Sequence, residues 1–489
     1  MTAALISLLC QRETAVDATS AIATILAAEL EEEIVQFVSA GVVPALKDLL
    51  SGEDGRAASH AAHSIGSIAK AERQRQFVLC DEILDLLSNL LNTAKAAQDA
   101  AWAISMIVEF GQGEEATRFI PRGVLKTLEN MLYDQDRGVA SQAASTIGNF
   151  ARRTPLEQRG AIISVRIVRG LVGLLGEEEA AHDASWAISE TITGNRGKEI
   201  QLFIANGLIP ALERLMNGAR KEIAFHASSG IGNLAMRTSG DQRRVVITEE
   251  IVTCLVDFLR TPAVASSTVW AVSVILSKGD DWEIQRFIGS GILPALEKLL
   301  LENEDRIASR AALCFGHLAK HTTGRQRDRL LSDKTVGRLV HLLQVPRTIH
   351  ECAWAISEIL ASGCPNDLRR FIADGVMPLL ASLMKEESDA IVSFALSAIG
   401  QLARHTTGGD RKLVLTADVG KLLVVGLQRP SAACIAAWAV SVALSSGDEW
   451  EMELFNSHGA VAALERLLND DNAAAASYAA TSIEKLRRQ

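Results

Sequence analysis

The 489-residue chain carries 49 Lys and Arg against 59 Asp and Glu, a formal net charge of −10 without any long basic run, which argues against a nucleic-acid binder. Hydrophobic residues make up 48% but aromatics only 4%, with ten prolines, a composition suited to close helix-on-helix packing and not to sheet faces. Seven scattered cysteines (Cys10, Cys80, Cys254, Cys314, Cys352, Cys364, Cys434) with no CxxC pair indicate neither a disulfide framework nor a zinc site, and are expected as reduced thiols. The segment Met1 to Leu9 has no basic leader, and no apolar run is long enough to cross a bilayer, so a cytoplasmic or nuclear protein without membrane insertion is expected.

Three ladders organise the chain. Trp102, Trp186, Trp270, Trp354 and Trp438 stand 84 residues apart in a shared context, Ala-Trp-Ala-Ile-Ser at Trp102 and Val-Trp-Ala-Val-Ser at Trp270. Phe37, Phe119, Phe203, Phe287, Phe371 and Phe455 take one step of 82 and then steps of 84, as do Gly66, Gly148, Gly232, Gly316 and Gly400. In chain order this gives a short first unit at 1–28, paired units at 29–110, 111–194, 195–278, 279–362 and 363–446, and a last unit at 447–489, read together as a single domain.

Each pair has two halves of about forty residues. One half runs Phe-Ile-x-x-Gly-x-x-Pro-x-Leu-x-x-Leu, as in Phe203 to Leu215, then a variable loop and a helix rich in small residues. The other begins with a charged turn such as Asp241-Gln-Arg-Arg and ends on the tryptophan helix. Gly207, Gly291 and Gly375 fit stops after a first helix, and Pro210, Pro294 and Pro378 fit the N1 position of a second. The ladder glycines fall inside the third helix, where glycine costs roughly 1 kcal/mol against alanine. Their recurrence predicts a neighbouring helix too close for a side chain. Arginine pairs such as Arg243-Arg244 and Arg369-Arg370 read as solvated helix faces.

A longer regularity appears at twice the period. His182, Trp186 and Glu190 recur as His350, Trp354 and Glu358, and Trp282 recurs as Trp450, the mark of a duplicated block. The spacing i, i+4, i+8 places His, Trp and Glu in one stripe on a helix. The stripe is not read as a zinc site, because i to i+8 spans ~12 Å at the helical rise.

The combination of Phe-(Ile/Val)-x-x-Gly-x-x-Pro-x-Leu-x-x-Leu-Leu with a helix ending Ile-Gly-Asn-Leu-Ala resembles the armadillo repeat, the family of β-catenin, vacuolar armadillo proteins and importin-α cargo adaptors. The resemblance covers essentially the whole chain. It implies an all-α, right-handed superhelical solenoid of about twelve three-helix repeats, the first lacking its first helix, with third helices lining a groove for extended partners. Candidate groove residues are Trp102, Trp186, Trp270, Trp354 and Trp438, with His182, His350, Glu190 and Glu358, and the polar rung Asn149, Asn233, His317 and Gln401 on the alternate helices.

The family's basic-peptide adaptors pair each groove Trp with an Asn one turn later. Here those positions are Met106, Glu190, Val274, Glu358 and Val442, while the helices bearing Asn149 and Asn233 have Ser145 and Ser229 in place of Trp. The repeats begin almost at Met1, so the basic N-terminal arm of such adaptors is expected to be absent. The favoured function is therefore a protein-interaction scaffold. The alternatives are a transport receptor using Glu190 and Glu358 against basic cargo, and a rod that self-associates through the uncapped apolar start, unless that start continues a longer protein. The last helix, with Glu484 at the glycine position and Lys485, Arg487 and Arg488, reads as a polar cap. No catalytic centre, cofactor or metal is expected: Gly194-Asn-Arg-Gly-Lys198 lacks a Walker motif's first glycine, and Thr322-Thr-Gly and Thr406-Thr-Gly read as turns.

Overall fold

A computed structural model describes residues 2–28, 30–111, 113–155, 157–193, 197–218, 221–470 and 472–487, without the side chains of residues 197, 198, 221 and 222. The loop residues Gly194, Asn195 and Arg196, the side chain of Lys198, and Arg488 of the expected cap lie outside the described set. Among the described residues the chain is all helix and turn, with no strand. It packs as two compact units, residues 1–251 and 252–489.

In the N-terminal unit the third helices stack in chain order: Ala15–Ala27, Gly55–Lys70, Ala97–Phe110, Arg137–Arg153, Ala181–Thr193 and Lys221–Arg237. The C-terminal unit repeats the arrangement with Pro262–Lys278, Asp305–Ala319, Ile349–Ala361, Asp389–His405, Ala433–Ala443 and Ala473–Leu486. First and second helices pack behind them. An all-α armadillo-type solenoid follows, its hydrophobic interior running along each stack instead of gathering in one centre.

Local chemistry explains the alternation of halves. Where the Phe motif stands, the first helix runs nine residues in Glu31–Ser39, Asp281–Gly289 and Pro365–Ala373, though at Phe119 it is the six-residue Glu114–Phe119 followed by a 3-10 turn. All six ladder phenylalanines are buried, and each contributes about 1.5–3 kcal/mol of apolar burial. In the tryptophan half the first element shrinks to a 3-10 turn at Arg75–Val78 and Arg159–Ala161, or seven residues at Gly240–Val246, Gly324–Leu330 and Gly408–Val414.

Gly207, Gly291 and Gly375 adopt φ of +83°, +79° and +78°, the left-handed turn expected of them. The prolines differ from expectation. The second helices are Leu208–Gly218, Ile292–Leu300 and Val376–Leu383, so Pro210, Pro294 and Pro378 occupy the third helical position, not the first. The first four helical N–H groups have no intrahelical acceptor, so a residue without an N–H is tolerated there too. Third helices are capped by Asp54, Asp136 and Asn472, whose side chains accept from backbone N–H groups. All seven cysteines are free thiols. Burial pushes the Cys352 thiol up to about 12, leaving it protonated and inert.

Candidate protein-binding face

Each ladder tryptophan leaves its third helix from a position flanked by buried small and aliphatic residues, for Trp186 Ala184, Ala187 and Ile188. All five indoles are half-buried, neither core nor free. The inner edges of Trp102, Trp186, Trp354 and Trp438 rest on the glycine ladder. A Cβ built on Gly66 would fall 2.5 Å from Trp102 Cζ3, and on Gly148, Gly316 and Gly400 it would fall 2.3, 2.8 and 2.3 Å from the same atom of Trp186, Trp354 and Trp438. At Gly66 and Gly316 the next backbone, Ala103 Cα and Ala355 Cα, stands 3.0 Å from that Cβ. The close approach expected at these glycines is therefore made first by an indole and then by the helix carrying it. The two ladders form one joint repeated along the stack.

The exposed ring faces meet groups of the chain itself. His63 stacks on Trp102 with centroids 4.2 Å apart and planes within 9°, and His317 leans on Trp354 at 4.5 Å. Lys70, Arg152 and Lys320 lie over Trp102, Trp186 and Trp354 at 5.2, 5.8 and 5.7 Å from the ring centroids, within the range of cation–π attraction. Arg152 also binds Glu109 at 2.8 Å, and Lys320 binds Glu358 at 2.6 Å. Glu358, expected to face a partner's basic group, already has a cation. Burial raises the pKa of Glu190 above the usual carboxylate value, opposed by the charges of Arg152 and Arg159.

The polar rung is more enclosed than its sequence pattern implies. Asn149 is 2% exposed and its Nδ2 donates to Ser105 Oγ at 2.8 Å, so this amide serves inter-repeat packing and is closed to a ligand. Asn233 Nδ2 donates to Ser189 Oγ at 3.2 Å and is half-buried, as is Gln401. His182 and His350 are exposed, with His350 edge-on to Phe394 at 5.3 Å.

His317 is held down to about 4 by burial, with Lys320 and His321 adding to the effect. A depressed folded pKa means that the unfolded chain binds the proton more readily, so this stability is complete above about pH 6.5 and is lost as pH falls towards 4. Melting temperatures measured between pH 7 and 4 should fall less steeply for His317→Gln than for the wild type. Equal slopes would assign the acid sensitivity elsewhere.

A further ladder has no counterpart in the sequence expectations: Arg75, Arg159, Arg243, Arg327 and Arg411, all 84 residues apart in the short first elements. Arg243, read above as solvated, is 5% exposed and its Nη1 donates to Ala235 O at 2.5 Å. Arg327 binds the buried Asp367 while donating to Ala319 O at 2.5 Å and Ile359 O at 2.9 Å. Arg411 pairs with the buried Glu451 in the same manner. Arg75 and Arg159 bond carbonyls at the ends of third helices: Ala69 O at 2.7 Å, and Thr154 O at 2.9 Å. The period alone reveals this ladder. Its burial follows from the carbonyls it covers.

No family model matches the chain. It is similar to importin subunit alpha-3 of Arabidopsis thaliana, 25% identical over 255 residues covering 50% of this chain and 46% of that protein. Importin subunits alpha-1b and alpha-1a of Oryza sativa subsp. japonica are 23% and 25% identical over 325 and 294 residues, covering 64% and 57% of this chain and 60% and 54% of theirs. The chain thus spans about half the length of the curated relatives it matches. A crystal structure of an engineered protein aligns over 99% of this chain and 98% of its own at 20% identity and a TM-score of 0.55, a likeness of fold. With these relatives, the helix stacks and the repeated motif, the chain is an armadillo-type repeat protein distantly related to importin-α subunits. Among the described residues, no helix is long and apolar enough to cross a membrane.

Proposed function

We propose that the protein is an interaction adaptor that lays an extended segment of a partner protein along the third-helix face of a unit, using the indole ladder as anchors. One observation carries this reading: Trp102, Trp186, Trp354 and Trp438 are each wedged against a glycine of the preceding repeat yet remain half-exposed, which fixes rigid aromatic anchors at regular spacing. Rigid aromatic side chains are favoured anchors because they bury much area for little entropy. A lysine- or arginine-rich signal is disfavoured as the partner. Lys70, Arg152 and Lys320 already lie over three indoles, and Glu358 is paired within the chain, so a basic peptide would have to displace internal cations.

Two measurements decide between adaptor and basic-cargo receptor. Titration of the full chain with a lysine-rich signal peptide, followed by intrinsic tryptophan fluorescence, should give no saturable change at micromolar concentration. Peptides selected on the wild type by display should lose at least tenfold in affinity on Trp186→Ala/Trp354→Ala, with circular dichroism confirming the helical fold. Saturable micromolar binding of the basic peptide would favour cargo transport. Selected peptides indifferent to both substitutions would remove the indole ladder from the binding face.

A further inference from the structure

We infer that His182 and His226 form a two-imidazole site for a divalent transition cation, an open chelate on the third-helix face of the N-terminal unit. The residues lie on the stacked helices Ala181–Thr193 and Lys221–Arg237. Their Nε2 atoms are 3.2 Å apart. Two imidazoles bound to one cation at about 2.0–2.1 Å would hold their nitrogens ~3.2 Å apart at an N–metal–N angle of roughly 100°, between square and tetrahedral.

The ring placement departs from an in-line hydrogen bond. The ring centroids are 4.7 Å apart and the planes are inclined at 85°. An in-line N–H···N bond of that length would push the centroids to about 5.5 Å, since each nitrogen stands ~1.1 Å from its ring centre. The N···N line therefore does not run along both ring axes, and an off-line placement of this kind leaves room for a cation beside that line. Asp183 Oδ1 lies 3.1 Å from His182 Nδ1. A carboxylate at that distance can accept an Nδ1 proton, the usual outer-shell arrangement of a metal-bound histidine. Phe225 packs edge-on against His226 at 5.2 Å and limits its rotation.

The duplicated block supplies an internal comparison. Two periods on, His182 corresponds to His350 and His226 to Phe394. The edge-to-face contact persists there, at 5.3 Å and 77°. Ring packing is thus satisfied without a nitrogen at the second position, and the N-terminal unit alone of these two places a nitrogen opposite a nitrogen. Among the described residues no group of three or more His, Cys, Asp or Glu is set to hold a metal, so the pair supplies two ligands and water completes the sphere. Imidazole donors favour Cu²⁺, Ni²⁺ and Zn²⁺ over Mg²⁺ or Ca²⁺. The inference stands apart from the proposed partner-binding role.

The test uses the untagged full chain. Calorimetric titration with Ni²⁺ should show one site at least tenfold tighter in the wild type and in His350→Phe than in His226→Phe, which copies the His350–Phe394 pair. Cu²⁺ below one equivalent, read by electron paramagnetic resonance on the wild type, should show two imidazole nitrogens on the ion, a readout independent of how any variant folds. Equal Ni²⁺ affinity in wild type and His226→Phe, or a Cu²⁺ signal with fewer than two nitrogens, would overturn the assignment.

Discussion

Replacing Glu451 by leucine should destabilise the C-terminal unit by about 3–5 kcal/mol, the cost of leaving a buried charge without its partner. The Arg411 side chain is 6% exposed and that of Glu451 is fully buried. Arg411 also donates to Thr406 O at 3.3 Å and Ala443 O at 2.8 Å, tying together the ends of the third helices Asp389–His405 and Ala433–Ala443. Helix C-termini favour a cation, so the guanidinium keeps some stabilisation when the acid is lost. Glu451 stands in the first turn of the helix Glu449–Ser457, whose N-terminal end likewise favours its charge. Beyond Arg411 it accepts a hydrogen bond from Ser446, and Arg411→Met should cost a similar amount, about 3–5 kcal/mol. Removing both charges, Arg411→Met with Glu451→Leu, should recover most of the loss, because apolar residues replace a buried pair with little penalty. Urea unfolding of the two singles and the double gives the coupling energy. Additive losses would show that the pair does not act as a unit. At Arg75 the ladder is built differently: this side chain covers the carbonyls of Ala69 and Lys70, and Glu115 Oε2 has no hydrogen-bond partner. Glu115→Leu should accordingly cost much less than Glu451→Leu, as removing an unmatched buried acid relieves a penalty.

The contrast between these ladders explains what sequence could and could not reveal. Repetition at 84 residues dictated the helix stacks, the left-handed glycines and the buried phenylalanines, because each depends on a pattern within one repeat. What lies opposite a residue, some forty positions further on, depends on the register between repeats, and no single helix pattern encodes it. The glycine ladder therefore announced a close approach without naming the indole as its cause. Asn149 fell on the rung expected of a ligand contact, yet the register delivered it to Ser105. Glu358 lay in an outward stripe, yet Lys320 of the preceding third helix reaches it. Of the arginine ladder only Arg243 entered the sequence reading, as solvated, since a short charged turn gives no sign that helix ends will cover it. Register also brought His182 against His226, two residues that sit in no common motif.

Register also governs the second large effect, at the indole seats. Gly400→Val should cost about 3 kcal/mol, the upper part of the range for forcing atoms into a filled site. In an open helix the exchange would be mildly favourable, since valine has a better helical propensity than glycine by a few tenths of a kcal/mol. Sterics decide the sign here. The new Cβ would sit 2.3 Å from Trp438 Cζ3 and 3.0 Å from Cε3 and Cη2, facing a rigid ring side-on. Trp438 is itself held by its helix, with Ala437 and Ala439 buried on either side, so the indole cannot yield without tilting Ala433–Ala443. Gly420→Ala is the matched control. Its Cβ would meet Leu454 Cγ and Cδ1 at 2.9 and 3.0 Å, but a half-exposed leucine tip can turn away, and the change should stay within about 1 kcal/mol. Trp438→Ala alone should cost roughly 3 kcal/mol, the low end for truncating a large aromatic because this one is half-exposed. Combined with Gly400→Val, the new side chain enters the space the ring vacates, so the double variant should be more stable than the sum of the singles by at least ~1 kcal/mol. Thermal and urea unfolding of the four proteins measures that coupling. Strict additivity would mean that glycine and indole share a period but not a joint, and the ladder would then lose the rigidity on which its use as a row of anchors depends.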